Sequence, residues 1–67
     1  MSDHHIDEDQ ATEIAVNFLQ QHHSILKIEG RTLEDDIWLI EVWVSAPINK
    51  KIIVKINAKT GYVLSWQ

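Results

Sequence analysis

The sequence predicts an α+β domain in which one N-terminal helix packs on a four-stranded antiparallel sheet, in the order α-β-β-β-β. Three observations predict it. Ala11, Ile14, Ala15, Phe18 and Leu19 recur at spacings of three and four, the period of an amphipathic helix. From Ile37 to Ser45 the side chains alternate with period two, the period of a strand. The last third reads as a β-hairpin: a β-branched run, Ile52 to Ile56, then turn residues 57–61, then a second apolar run, Tyr62 to Trp66.

The helix is expected over residues 8–22. Asp7 is its N-cap, and Gln10 completes a capping box. Ile6 and Ala11 occupy the hydrophobic-staple positions, and Glu8 and Asp9 suit the positive end of the helix dipole. Thr12, Glu13, Asn17 and Gln20 take the solvent side, and His22-His23-Ser24 ends the element.

Residues 25–33 form the first strand. Leu26 and Ile28 are expected on one side, with Lys27, Glu29 and Arg31 on the other. Gly30 marks a bulge or bend. Residues 34–36 form a turn. In the second strand, residues 37–45, Trp38, Ile40, Val42 and Val44 make a uniformly apolar face that should meet the helix. Ile37, Leu39, Glu41, Trp43 and Ser45 make the other face. Residues 46–49 connect to the hairpin, with Pro47 in the connection because it cannot donate to a ladder.

In the hairpin, Gly61 is the left-handed residue that closes the loop. Pairing Asn57 with Tyr62 sets Ile56 opposite Val63 and Val54 opposite Ser65 on the helix face. The same register sets Lys55 opposite Leu64 and Ile53 opposite Trp66 on the far face. One helix cannot cover both faces of the sheet. Ile37, Leu39, Trp43, Ile53, Leu64 and Trp66 are therefore the expected partner-binding or dimer face.

Composition bounds the function classes. With 67 residues there is room for one domain, expected over 6–67 behind a disordered arm at 1–5. Hydrophobic content of 45% argues against a disordered chain, and no run is long and apolar enough to cross a membrane. The polar start, Met1 to His5, lacks the features of a secretory signal, so the chain as given is expected in the cytoplasm. There is no cysteine, hence no disulfide and no thiolate metal site. Residues 1–41 hold all ten acids against two cations, Lys27 and Arg31, for a net −8. Residues 42–67 hold four lysines and no acid, for +4. Four lysines without an arginine provide few phosphate contacts, so nucleic acid is not an expected partner.

No catalytic residues are predicted. The carboxylates Asp7, Glu8, Asp9, Glu13, Glu34, Asp35 and Asp36 fall at a helix start and a turn, where water reaches them. Ser45, Thr60 and Ser65 have no histidine beside them in this topology. His4-His5 and His22-His23 lack the i, i+4 spacing of a metal-binding helix, and neither metal nor cofactor is expected.

Three segments resemble the PepSY domain family. Residues 6–15 are similar to its opening helix, with an acidic cap before an A-x-x-I-A pattern. Residues 38–44 are similar to its central Y-x-V-E-V strand. Residues 54–64, Val54 to Leu64, resemble its V-x-V-D-A-x-T-G-x-V-L hairpin, with Asn57 where the family usually has Asp. The resemblance spans about residues 6–66. It implies a cystatin-like α+β module without catalytic residues, one proposed in the family to bind or restrain peptidases and other partners. Many relatives are extracytoplasmic. The implied function is a small protein- or peptide-binding module, with a homodimeric structural domain as the alternative. A weaker resemblance, through residues 35–40 and the terminal hairpin, is to immunity-type inhibitors with an NTF2-like fold.

Overall fold

Helix α1 (Glu8–Leu19) is followed by strands β1 (Ser24–Glu34), β2 (Ile37–Ser45), β3 (Lys50–Asn57) and β4 (Val63–Trp66). The structure is a computed structural model that describes residues 5–45 and 48–67. The expected arm at 1–5 therefore lies outside the described residues except for His5, and so does Pro47. The strands pair antiparallel in chain order, β1-β2-β3-β4, and α1 packs against one face of β1, β2 and β3. The predicted α+β architecture is the observed one.

The helix starts where its cap chemistry directs. The Asp7 carboxylate accepts from the Gln10 amide at 2.8 Å, and the Gln10 side chain accepts from the Asp7 amide at 3.1 Å. The helix ends at Leu19, three residues before the expected end. The amides of His22 and His23 both donate to the Leu19 carbonyl, which turns the chain so that β1 begins at Ser24.

The core is the layer between helix and sheet. Ala11, Ala15 and Leu19 on the helix meet Ile40, Val42 and Val44 on β2 and Ile52, Val54 and Ile56 on β3, all buried. The two alanines let the helix approach the β-branched rows closely. The strict alternation predicted for β2 is observed, with each buried residue flanked by half-buried ones.

β1 departs from simple alternation. Register shifts fall between Ile25 and Lys27 and between Ile28 and Gly30, leaving Leu26 and Glu29 as extra residues. The bulge expected at Gly30 is there, but the two shifts re-sort the strand. Ile25, Ile28, Arg31 and Leu33 pair with helix-face residues of β2, whereas Lys27, Gly30, Thr32 and Glu34 pair with outer-face residues. Arg31 thus leaves the expected company of Lys27 and reaches Glu8 on the helix at 2.8 Å.

Both tight connections use left-handed residues. Asp35 (φ 50°) and Asp36 (φ 63°) form the two-residue link between β1 and β2, a position that aspartate tolerates better than most side chains. Gly61 (φ 81°) closes the β3–β4 loop as expected, donating to the Asn57 carbonyl at 2.7 Å. The Asn57 side chain accepts from the Lys59 amide at 2.8 Å, the local contact that suits Asn or Asp there.

Candidate functional site: the outer face of the sheet

The sheet face turned away from α1 carries the side chains predicted to bind. Ile37, Leu39 and Trp43 on β2 and Ile53 on β3 alternate with buried core residues, and all four are half-buried on the outer face. Asn57, Lys55 and Lys51 lie opposite Ile37, Leu39 and Trp43 on β3, and Ile53 lies opposite Glu41.

Trp66 is not on this face. The predicted register holds at Ile56–Val63, but β4 then bulges. Leu64 becomes the unpaired residue, Ser65 faces Lys55, and Trp66 faces Val54, a buried member of the helix-side row. The Trp66 ring meets Phe18 of α1 edge-on, with centroids 4.8 Å apart. That aromatic contact is a physical reason for the shift, since such a pair adds about 0.5–1.5 kcal/mol beyond its burial. With no intervening row to cover them, Leu64 and Trp66 are 50% and 55% exposed along the β4 edge. Four of the six predicted residues thus share one surface, Trp66 leaves it for the helix side, and Leu64 sits unpaired in the β4 bulge.

Polar residues surround the four. The Trp43 indole N–H donates to the Glu29 carboxylate, and Lys51 lies 3.9 Å from Glu29 and 3.4 Å from Glu41. Glu29, an extra residue of the β1 bulge, is part of this network. Period-two reading places Glu29 beside Lys27 but does not reveal its contact with Trp43. Gly30 lies opposite Glu41 and leaves space for its carboxylate, which a Cβ there would meet at 3.3 Å.

The Trp43 hydrogen bond holds the Glu29 carboxyl below its ordinary pKa; desolvation opposes it, and the nearby Lys51 and Lys27 charges add to the lowering. The folded-state value is depressed. Its stabilising contribution is therefore present above the unfolded-state pKa and is lost as pH falls through the lowered value. An NMR titration of the Glu29 side chain should find its midpoint below that of an unperturbed glutamate. Trp43→Phe should raise it; an unmoved midpoint would remove the indole as the cause.

The acidic clusters take structural positions. Asp7 caps α1, and Asp36 forms part of the β1–β2 turn. The Asp36 carboxylate lies 3.4 Å from His5 Nε2 and 3.8 Å from Lys59 Nζ. His4 lies outside the described residues. Among the described residues, no group of three or more His, Asp or Glu side chains is placed to hold a metal, and no concave pocket forms. None of the described helices is long and apolar enough to cross a membrane.

No protein-family model, curated protein or solved structure matches the chain.

Proposed function

We propose that the chain is a non-catalytic protein-binding module that presents the outer sheet face as its recognition surface. The observation that carries this reading is the grouping of Ile37, Leu39, Trp43 and Ile53 on a face that α1 does not cover. One aromatic and three aliphatics, interleaved with Glu41, Lys51 and Lys55, give this face the mixed apolar and charged make-up of a binding patch. The PepSY resemblance supports the same class of function and points to peptidases, among other partners. The carboxylates of Asp7 and Asp36 serve the helix cap and the β1–β2 turn.

A photo-crosslinking residue at Leu39, compared with one at Asn17 on the solvent side of α1, tests the surface in cells of the native host. Leu39 is expected to give a discrete adduct that Trp43→Lys eliminates while the circular-dichroism spectrum is kept. Asn17 should give none. No adduct from Leu39, or equal adducts from both positions, would sink the reading.

A further inference from the structure

We infer that the free edge of β1 over residues 30–34 is a docking site for an extended basic segment of a partner protein, which adds to the sheet as a fifth strand beside β1. The site is separate from the outer face, and the inference does not depend on the binding role of that face.

The first argument is the direction of the backbone groups. β1 is the outermost strand, with β2 on one side and no strand on the other among the described residues. In an antiparallel sheet the hydrogen-bonding direction alternates along each strand, so it can be followed from strand to strand. The Ile53 amide and carbonyl both bond Gln67 and so face β4. The next residue, Val54, therefore faces β2, where Ile40 is its partner. Ile40 faces β3, so its neighbour Leu39 faces β1 and pairs with Thr32. Arg31 and Leu33, on either side of Thr32, are left with amide and carbonyl turned to the open edge. The Asp35-Asp36 link gives the same answer, because the pair that flanks such a two-residue turn, Glu34 and Ile37, is a hydrogen-bonded one. From Gly30 to Glu34 the ladder with β2 is regular, beyond both bulges. An incoming antiparallel strand can exchange a donor and an acceptor with each of Arg31 and Leu33. The other edge, β4, has only four residues and is interrupted by its bulge.

The second argument is charge. The bonds from the Ile6 amide to the Ala58 carbonyl and from the Ala58 amide to the Asp36 carbonyl set the start of α1 beside the β1–β2 turn. Asp7, Glu8 and Asp9 thereby join Glu34, Asp35 and Asp36 at one end of the molecule. Part of this charge is used within the chain. Asp7 caps the helix, Glu8 takes Arg31, and Asp36 lies between His5 and Lys59. Asp9, Glu34 and Asp35 have no ion-pair partner within the chain among the described residues. A strand that approaches this edge meets uncompensated negative charge, which selects lysine or arginine.

The third argument is the side-chain pattern. Arg31 and Leu33 pair with helix-face residues of β2, and Thr32 and Glu34 pair with outer-face residues. Leu33 is 49% exposed, and Glu34 is exposed on the edge strand itself. The incoming residue opposite Leu33 gains by being apolar, and the one opposite Glu34 gains by being basic. The two positions are adjacent, so the segment that fits alternates apolar and basic residues.

The probe is an eight-residue peptide alternating valine with lysine, titrated at low salt to about 1 mM and followed through the amide NMR signals of the protein. The Arg31 and Leu33 amides should shift most. Their hydrogen exchange should slow at least about tenfold at saturation, because both become strand donors. The same peptide with glutamate in place of lysine should bind at least about tenfold more weakly. Leu33→Pro removes an outward donor and no ladder bond, so circular dichroism should show the fold kept while binding falls at least about tenfold. Glu34→Lys, on an exposed side chain, should weaken the lysine peptide and strengthen the glutamate peptide, and it decides the matter if Leu33→Pro fails to fold. No shift up to about 1 mM, equal affinity for the two peptides, shifts centred on the Trp43 indole, or unchanged binding by a folded Leu33→Pro or by Glu34→Lys would each overturn the inference.

Discussion

Replacing Ile40 with alanine is expected to remove about 3–4 kcal/mol of folding stability. Ile40 is fully buried at the centre of β2, between Arg31 of β1 and Val54 of β3, in the layer beneath α1. Its neighbours cannot collapse into the space. β-branched Val42 and Val54 have restricted rotamers, and Ala11 and Ala15 have no side chain long enough to fill it. The loss therefore combines the transfer cost of the deleted carbons with a cavity. A 67-residue domain has roughly 3–10 kcal/mol to lose at about 0.05–0.15 kcal/mol per residue. In urea, with a slope near 1 kcal/mol/M for so small a chain, the midpoint should fall by about 3 M, or the variant should be largely unfolded in buffer. A fall below about 1 M would mean that the helix–sheet layer repacks freely and has no unique core. Leu39→Ala, one residue away on the outer face, is the matched comparison. It is half-buried, and its smaller loss would show that the helix-facing row holds the fold while the outer row remains available for binding.

That division between the rows was legible before any coordinates. β2 has one fully buried face, so its period-two pattern has only one reading. The helix start was legible because Asp7 and Gln10 satisfy specific backbone groups, and the β3–β4 loop because Asn57 and Gly61 answer a specific conformational demand. The three bulges were not. Adding Leu26, Glu29 or Leu64 changes neither local composition nor the apolar count, yet each moves every later residue to the opposite face. What decides the shift lies elsewhere in the chain. Phe18 waits for Trp66 and Glu8 waits for Arg31, at separations that local periodicity does not sample. The candidate site inherited this pattern. Ile37, Leu39, Trp43 and Ile53, on unbulged strands, were placed correctly. On the bulged β4, Trp66 lies on the helix side instead, and Leu64 loses the partner expected for it, Lys55.

The second large effect should come from Trp38. Its indole N–H donates to the Ile6 carbonyl at 3.0 Å, and the Ile6 amide donates to the Ala58 carbonyl at 2.8 Å. Ile6 is thus held at both backbone groups just before the helix cap, and its side chain joins the core with that of Trp38. Trp38→Ala removes the ring and the donor together and should cost about 3 kcal/mol. Trp38→Phe keeps most of the ring and leaves the Ile6 carbonyl to water, which should cost about 1 kcal/mol. The two variants should also differ in where the loss appears. In hydrogen exchange, Trp38→Phe should speed the Ile6 and Gln10 amides, whose protection depends on the seating of the helix start, while the Val42 and Val54 amides stay slow. Trp38→Ala should speed all four. Uniform acceleration in Trp38→Phe would show that the helix start and the sheet open as one unit. The indole–Ile6 bond would then hold no separable part of the structure, and the acidic end of the molecule would be as rigid as its core.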